Sequence, residues 1–356
     1  MELKTWVFSR FKGQAIVSIK INHTLMKYLL TIIAMTLLFA CGRGPDNVSG
    51  HFNHVDQIIW IVDDLDNTIS KWNNLGFNQV TDPDTVTAGL TKSGTSVKII
   101  LAKGNLGGAN VTWIQPLEDK SVFAEFLNTY GEGAMSIVHR MENRKALRSE
   151  LRRLSGLGVK IREEIKISTD KGELYFVLAD TFEKGKYYLG YTIGDDDLKI
   201  MAGLSPDNLH AMQINQYAFA IRDPGPVSQY WHLLGQPEFS LSDPVLGNTH
   251  YYGEIVDHKL IQGWQREFDV DYEWCIPVKP PIVYDDHIRK HGEGIHHLAF
   301  SVRDMDMVLQ DYTAKGFVIS MGGTWGDEGK PGSGRYEYID MEDGGGLTME
   351  LLWNFE

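Results

Sequence analysis

The stretch GEGIHHLAFSVRDMDMVLQDYTAKGF, residues 292–317, consists of a short apolar strand, an Asp-containing turn and an amphipathic helix that ends near a glycine. Three earlier stretches follow the same order, and they begin at His54, Gly131 and Ile214. One strand position can be aligned across all four units; its occupants, spaced 79, 80 and 81 residues apart, are Gln57, Ser136, Gln216 and His297. So regular a period indicates one supersecondary unit that occurs four times.

A second position recurs on the last strand of each unit, and its occupants are Thr112, Leu189, Glu273 and Glu350. The first two units therefore offer Gln, Thr, Ser and Leu, whereas the last two offer Gln, Glu, His and Glu. Carboxylates and imidazole are strong ligands for a divalent metal, and a Gln carbonyl is an acceptable oxygen donor. The sequence predicts a metal site formed by Gln216, Glu273, His297 and Glu350, and none in the first two units.

The neighbours of the two glutamates support the same prediction. Glu273 is followed by Trp, Cys and Ile, and Glu350 lies between Met349 and Leu351. A carboxylate buried among such residues is costly unless a cation compensates its charge. Cys275 lies two residues after Glu273 and could line the same cavity, although such a cysteine is more often a small buried hydrophobe.

A strand–helix–three-strand unit, doubled to close a cupped sheet around a metal, resembles the vicinal oxygen chelate (VOC) superfamily. That superfamily includes glyoxalase I, methylmalonyl-CoA epimerase and the extradiol ring-cleaving dioxygenases. The resemblance covers nearly all of residues 51–356, and GEGIHHLAFSVRDMD resembles the epimerase and glyoxalase-like branch. It implies an α+β fold in which four βαβββ modules form two glyoxalase-type domains with cupped mixed sheets.

The resemblance also implies roles for single residues. The second His of the HH pair maps to His297, the terminal Glu to Glu350 in LTMELLW, and the remaining ligands to Gln216 and to Glu273 in EWCIP. This set is similar to one glyoxalase I ligand set. It differs from the two His and one Glu of the dioxygenases and from the two His of the epimerases, so both activities are less supported. His296 is expected to face away from the metal.

The implied activity is that of a metal-dependent lyase or isomerase of the glyoxalase type. It would act on an exported small carbonyl or hydroxyacyl compound, with Glu350 or Glu273 as the catalytic base. The metal would be Zn, Ni, Co, Mn or Fe(II), because the ligand set is compatible with each of them. A small-molecule-binding protein of the same superfamily that has no turnover stays open as the alternative.

The composition limits the class of partner. The chain has 356 residues, of which 43% are hydrophobic and 23% are charged, as in a globular protein. Its formal net charge of −13 argues against nucleic acid, because phosphate binding needs a basic face. No zinc-finger spacing, Walker loop or Rossmann glycine pattern occurs in the sequence.

The N-terminal segment MKYLLTIIAMTLLFAC, residues 26–41, has a Lys before a short apolar run, which is typical of a signal peptide. The run ends in Leu-Phe-Ala-Cys-Gly, which resembles a bacterial lipoprotein cleavage box and predicts lipidation at Cys41. The expected location is the cell envelope, on the outer-membrane or periplasmic side. An ordinary secretory signal or an anchor helix is the alternative. Residues 1–25 are interpreted as an upstream mis-start.

The predicted organisation is a signal segment over 1–41, a tether over 42–50, a degenerate glyoxalase-like domain over 51–206 and a metal-binding one over 207–356. The junction is the turn at Ser205–Asn208. Helices are expected near 66–75, 142–156, 225–234 and 304–315. The first domain would cover the second or take part in a homodimer. The Gly-rich stretch 322–338 is expected to be either a lid or a long hairpin.

Overall fold

The computed structural model describes residues 50–201, 209–266, 269–327 and 329–354. The predicted signal segment, Cys41, the tether up to residue 49 and the predicted junction at Ser205–Asn208 lie outside the described residues. Within the described part of the chain, no helix has both the length and the apolar character that crossing a bilayer requires.

Eight strands of the first half form a closed barrel: β1 (Gln57–Ile61), β2 (Asp84–Leu90), β3 (Thr95–Leu106), β4 (Ala109–Pro116), β5 (Gly133–Arg140), β6 (Ile161–Thr169), β7 (Gly172–Ala179) and β8 (Tyr188–Thr192). Around the barrel the order is β1-β4-β3-β2-β6-β7-β8-β5. Its interior is filled by apolar side chains such as Ile59, Ile99, Leu101, Ile165 and Phe176. The middle of the barrel is therefore a packed apolar core.

The second half forms a ten-stranded sheet from β9 (Gln213–Ala220), β10 (Ser240–Ser242), β11 (Leu246–Tyr251), β12 (Glu254–Ile255), β13 (Lys259–Gln265), β14 (Asp271–Lys279), β15 (Gly294–Ser301), β16 (Ile319–Trp325), β17 (Gly334–Ile339) and β18 (Thr348–Asn354). Its order is β10-β13-β14-β9-β15-β18-β17-β16-β11-β12.

The helices of the described residues are α1 (Leu65–Asn74), α2 (Val122–Tyr130), α3 (Arg144–Gly156), α4 (Phe182–Gly185), α5 (Asp196–Met201), α6 (Pro224–Leu233), α7 (Val283–His291) and α8 (Met305–Ala314), with 3-10 turns at Gly50–Asn53 and Glu342–Gly344. The turn aspartates begin helices, as expected. Asp64 and Asp304 each accept a hydrogen bond of 3.0 Å from the third backbone N–H beyond them.

The predicted α+β class with four βαβββ modules is confirmed. Each module starts with one strand, continues into α1, α3, α6 or α8, and ends with the strands of its sheet. These four helices lie within two residues of the predicted ranges. Four further helices of the described residues were not predicted. Of these, α2 and α7 precede the second and fourth modules, and the short helices α4 and α5 lie before and after β8.

The two sheets differ in the strand that joins the two modules of each sheet. In the first barrel, β2 alone pairs with both β3 and β6. In the second sheet two different strands make these pairings: β10 pairs with β13, and β11 pairs with β16. The chain therefore crosses from one edge to the other at residues 243–245, and this gap gives the interior of the second sheet an opening.

A shared apolar core joins the two sheets within the compact unit Asn47–Glu356. Trp60 and Trp72 of the first barrel are fully buried. Their indole N–H groups donate to the carbonyl oxygens of Gly345 and Gly344, at 2.6 and 3.1 Å. Gly345 has a φ of 112°, and a Cβ there would lie 3.1 Å from the Trp60 ring. The contact therefore requires glycine on both steric and backbone grounds.

Candidate metal centre

Four adjacent strands, in the order β14-β9-β15-β18, bring the predicted ligands together. Across β14, β9 and β15, one row of paired residues reads Glu273, Ala218, His297. The next row reads Gln216, Ala299 and Glu350 across β9, β15 and β18. Each row thus places one alanine between two polar side chains. Because alternate residues on a strand share a face, both rows point into the curled sheet, and the alanines leave space between the polar groups.

Single oxygen or nitrogen atoms of Glu273, His297 and Glu350 all lie within 4.8 Å of one another. The imidazole Nε2 of His297 is 3.2 Å from Glu350 Oε2 and 3.7 Å from Glu273 Oε2. All three side chains are buried, with exposed fractions of 2%, 0% and 4% in that order. Two carboxylates so close and so poorly hydrated need a cation to compensate their charge.

The side-chain amide of Gln216 completes the group. One of its two terminal atoms lies 3.0 Å from Glu273 Oε2 and 3.2 Å from Glu350 Oε2. If that atom is the amide nitrogen, it donates a hydrogen bond to each carboxylate. If the amide is rotated, its oxygen joins the two carboxylate oxygens and His297 Nε2 around one point. The same side chain thus suits the site with a proton or with a metal as its cation.

Without a metal, a proton on His297 compensates part of the negative charge of the two carboxylates. Burial by itself would lower the pKa of His297, but hydrogen bonds to Glu273 and Glu350 outweigh it and raise the pKa to about 9. Burial raises the pKa of Glu350, and its hydrogen bonds to His297 and to the hydroxyl of Tyr338 oppose that rise. The proton on Nε2 therefore lies between the imidazole and the two carboxylates, where a metal would bind, and supplies one positive charge there.

Further side chains hold the two glutamates in place. The Gln262 amide nitrogen donates to Glu273 Oε1 at 2.7 Å, so this carboxylate is fixed through the oxygen that faces away from His297. The hydroxyls of Tyr284 and Tyr338 lie 2.6 Å apart, and the Tyr338 hydroxyl in turn binds Glu350. Such outer contacts orient metal ligands and adjust their basicity.

His296 does not follow the simple alternation of faces that was expected for it, and it is not a member of the metal-ligating group. The pairing of β15 with β9 shifts between Ile295 and His297, which makes His296 the extra residue of a β-bulge. Its imidazole Nδ1 lies 2.7 Å from His297 Nδ1, and its ring packs edge-on against Tyr284. A bulge breaks the strict alternation of faces, so His296 supports the ligand imidazole from behind.

A cavity of about 440 Å³ opens onto the site. Gln216, Glu273 and Glu350 line it directly, and apolar and aromatic side chains form its walls: Pro244, Leu246, Leu260, Trp264, Tyr284, Met321, Trp325, Tyr336, Tyr338 and Leu352. This volume is within the range of small-molecule sites. Cys275 is fully buried and is not part of the lining, although its thiol lies within hydrogen-bond reach of Glu273 and Tyr284.

The Gly-rich stretch 322–338 is a hairpin and not a separate lid. β16 and β17 pair from Ile319↔Ile339 to Trp325↔Gly334, with the turn between them. The cavity is lined by Trp325 from one strand and by Tyr336 and Tyr338 from the other. Both strands of the hairpin therefore belong to the wall of the cavity.

The first barrel carries a different group at the corresponding place. Its strand pairing aligns Gln57 with Gln216, Thr112 with Glu273 and Ser136 with His297. The ammonium of Lys103, on β3, lies 2.8 Å from both Gln57 Oε1 and Thr112 Oγ1. Lys103 is only 2% exposed. A lysine ammonium therefore lies where the second sheet gathers metal ligands.

The expectation for Leu189 is wrong. Glu350 pairs with Ala299, and in the first barrel the equivalent residue Val138 pairs with Gly190. Leu189 lies one residue earlier, so its side chain points to the opposite face and joins the core between the sheets. Lys103 escaped the sequence prediction, although a signal was present: Ile99, Leu101 and Lys103 alternate on one face of β3, and a charged residue there interrupts an apolar series.

Comparison with protein families gives one match. Residues 215–332 match the family model described as the Glyoxalase/Bleomycin resistance protein/Dioxygenase superfamily. The chain carries a domain of this superfamily. The matched part contains Gln216, Glu273 and His297, and Glu350 follows it on the last strand. The predicted VOC superfamily is confirmed for this part of the chain, and its glyoxalase or epimerase branch stays a prediction.

One solved structure extends the likeness in fold to most of the chain. A triple mutant of 4-hydroxymandelate synthase from Streptomyces coelicolor matches with a TM-score of 0.55 at 13% identity, over 85% of this chain and 92% of that chain. An Mn(II)-bound glyoxalase from Novosphingobium aromaticivorans matches with a TM-score of 0.46 at 13% identity, over 86% and 83%. At such identity the first match shows a shared fold only. A search of curated protein sequences finds no significant match.

Proposed function

We propose that this protein is a divalent-metal-dependent lyase or isomerase of the glyoxalase type that acts on a small carbonyl or hydroxyacyl compound. One observation carries the proposal: two buried carboxylates, an imidazole and a Gln amide meet at the wall of a cavity large enough for a small molecule. The runner-up is a protein that binds such a compound without turnover.

The donor set fits a divalent metal. The amide oxygen of Gln216, one oxygen from each of Glu273 and Glu350, and Nε2 of His297 would hold it, since these atoms already face one another. Two carboxylates balance the charge of a divalent ion, and O and N donors suit Zn, Ni, Co, Mn or Fe(II). When bound, such an ion supplies Lewis acidity toward a substrate carbonyl.

One of the two carboxylates would act as the general base that takes a proton from the substrate. Abstraction from the carbon next to a carbonyl needs a base with a pKa closer to neutrality than that of an exposed glutamate. Burial raises the pKa of Glu350 in this direction. Glu273 is held through its second oxygen by Gln262. Glu350 is therefore the better candidate for the base, and Glu273 is the second.

The surroundings favour redox-neutral chemistry of this kind. Tyr338 donates a hydrogen bond to Glu350 and lines the cavity, so its hydroxyl can relay a proton between the cavity and the carboxylate. The apolar walls limit the water that competes for the proton. The single imidazole among the four donors distinguishes the set from the two-imidazole pattern of the ring-cleaving dioxygenases.

We further propose that the protein acts in the bacterial cell envelope, held by lipid on Cys41. This part rests on the sequence of residues 26–41 alone. Labelling with a radioactive fatty acid should depend on Cys41, and Cys41→Ser should abolish it. Label that survives the substitution would mean a different anchor.

The decisive experiment combines metal analysis with turnover assays. Wild-type protein, Glu350→Gln and His297→Ala are loaded with each candidate metal and assayed against a panel of α-hydroxyacyl and hemithioacetal compounds. Excess metal should restore His297→Ala more than Glu350→Gln, because loss of a general base costs about 10²–10⁴ in rate even at full metal occupancy. Equal restoration would leave Glu350 as a ligand only.

Glu337→Gln is a matched control. Glu337 is 1% exposed and lies on β17, next to β18, but its carboxylate binds His250 and Arg335 on the outer face of the sheet. Metal content per folded chain should be unchanged in this variant. If the metal-loaded wild type turns over no compound of the panel yet binds one of them, the runner-up replaces the enzyme proposal.

A further inference from the structure

Resting on the proposed function, we infer that the substrate is a flat, aromatic or similarly apolar compound that presents two adjacent oxygens and carries at most one further negative charge. The walls of the cavity supply the first observation. Indole and phenol rings of Trp264, Trp325 and Tyr336 face it, together with the aliphatic side chains of Leu260 and Leu352. Rings that line a cavity favour a flat apolar ligand by stacking and by area buried.

The charges around the cavity supply the second observation. Among the described residues that line it, Arg266 is the single basic side chain, and three acidic ones are present: Asp271, Glu273 and Glu350. A divalent metal at the site and Arg266 would together balance those three. A substrate with several phosphates or carboxylates would therefore face uncompensated repulsion, because nothing else in the lining offers it a cation.

The position of Arg266 supplies the third observation. Its guanidinium lies over the Trp264 ring, 4.2 Å from the centroid, and its Nε is 3.7 Å from Asp271. The side chain is 61% exposed, so it belongs to the rim and not to the floor. A ligand whose ring lies against Trp264 would bring one outward-pointing anionic group within reach of Arg266.

Two hydroxamates test the apolar part without requiring turnover. Benzohydroxamate and acetohydroxamate offer the same pair of chelating oxygens and the same charge, and they differ in the ring. Binding to the metal-loaded protein is measured by titration calorimetry. Benzohydroxamate should bind tenfold to a hundredfold more tightly, and Trp264→Ala should remove most of this difference.

Trp353→Ala is the matched control for that variant. Trp353 lies on β18 and lines a groove on the other face of the sheet, with His250 and Arg335. It should leave the ratio of the two hydroxamates unchanged. Equal affinities of the two probes for the wild type would overturn the inference, and so would a ratio that Trp264→Ala leaves intact.

The charge part is tested with ring-substituted probes. A 4-carboxy group on benzohydroxamate should be tolerated within about threefold, whereas a doubly charged 4-phosphono group should weaken binding at least tenfold. Arg266→Gln should weaken the carboxy probe selectively. Lys259→Gln removes a half-exposed charge outside the cavity, on β13, the strand that ends just before Arg266, and it should leave the affinity for the carboxy probe unchanged. Tighter binding of the phosphono probe than of benzohydroxamate would overturn the charge argument.

The outcomes separate this inference from the proposed function. Metal content is measured first. A chain that takes up no metal in any condition overturns both. A chain that binds metal and turns over a carbonyl compound, but does not prefer the aromatic probe, leaves the proposed function standing and refutes the substrate class alone.

Discussion

Metal binding at this site should displace the proton that His297 holds. The pKa of His297 is raised to about 9 in the metal-free site, so at pH 7 about 99% of the molecules carry the imidazolium. A metal can bind Nε2 only after that proton leaves. The apparent affinity should therefore rise about tenfold for each pH unit between pH 6.5 and 8.5 and level off above pH 9.

The magnitude follows from the size of the shift. At pH 7, two units below the pKa of His297, the apparent free energy of metal binding is less favourable by about 2.7 kcal/mol, at 1.36 kcal/mol per pH unit. Burial also raises the pKa of Glu350, so any proton still held there adds to the slope at the acid end of the range. The sign is the same for both groups: protons compete with the metal, and a higher pH favours binding.

Titration calorimetry with Co(II) in two buffers of different ionisation enthalpy measures the protons released, and the affinity is followed over the same pH range. About one proton should leave per metal at pH 7.5. His297→Gln removes the titrating ring while offering a carbonyl oxygen, and its pH slope should fall below that of the wild type. A wild-type affinity that does not change between pH 6.5 and 8.5 would refute the reasoning.

Three further predictions concern other parts of the molecule. Replacing His296 by Leu should weaken metal binding about 10- to 100-fold as the support of the ligand imidazole is lost, whereas His296→Asn, which keeps an acceptor, should weaken it less. Lys103→Met should lower the free energy of unfolding by roughly 1–3 kcal/mol in urea titrations and leave the metal content at one per chain. Burial opposes the shift, but hydrogen bonds to His291 and Lys290 lower the pKa of Glu342 to about 2, so its contribution to stability is present above about pH 4.5 and is lost toward pH 2. Glu342→Gln should flatten that part of the stability curve, and an unchanged acid limb would contradict the assignment.

Most of the fold could be predicted from the sequence repeat. The 80-residue spacing fixes which strand positions correspond, and the apolar strand with its capped helix recurs four times. The N-cap is Asp in three of the units and Asn143 in the second. Three of the four positions predicted for the first barrel hold in the strand pairing, and the four positions of the second sheet come together around one point. Spacing suffices there because β14 and β18 pair with their neighbours without a register shift, and the bulge in β15 lies before His297.

Irregular backbone explains the two residues, His296 and Leu189, whose side-chain orientation the repeat spacing did not predict. The bulge before His297 adds one residue to β15, and it turns His296 to the side that alternation assigns to its neighbours. Leu189 fails for a related reason. The offset between the paired strands is one residue longer in the first barrel, so Gly190 takes the interior position. A shift of one residue leaves the repeat visible and reverses every side chain after it.

Both sheets keep a cation at the same place, and the number of carboxylates decides which kind. In the first barrel, Gln57 and Thr112 are neutral acceptors, and the single charge of Lys103 satisfies them. In the second sheet, Glu273 and Glu350 bring two negative charges into a buried space, which one ammonium would leave half compensated. A divalent ion matches that charge, and a protonated imidazole substitutes for it only in part. We therefore expect the ammonium of Lys103 to exclude a metal from the first barrel, and we expect one metal per chain.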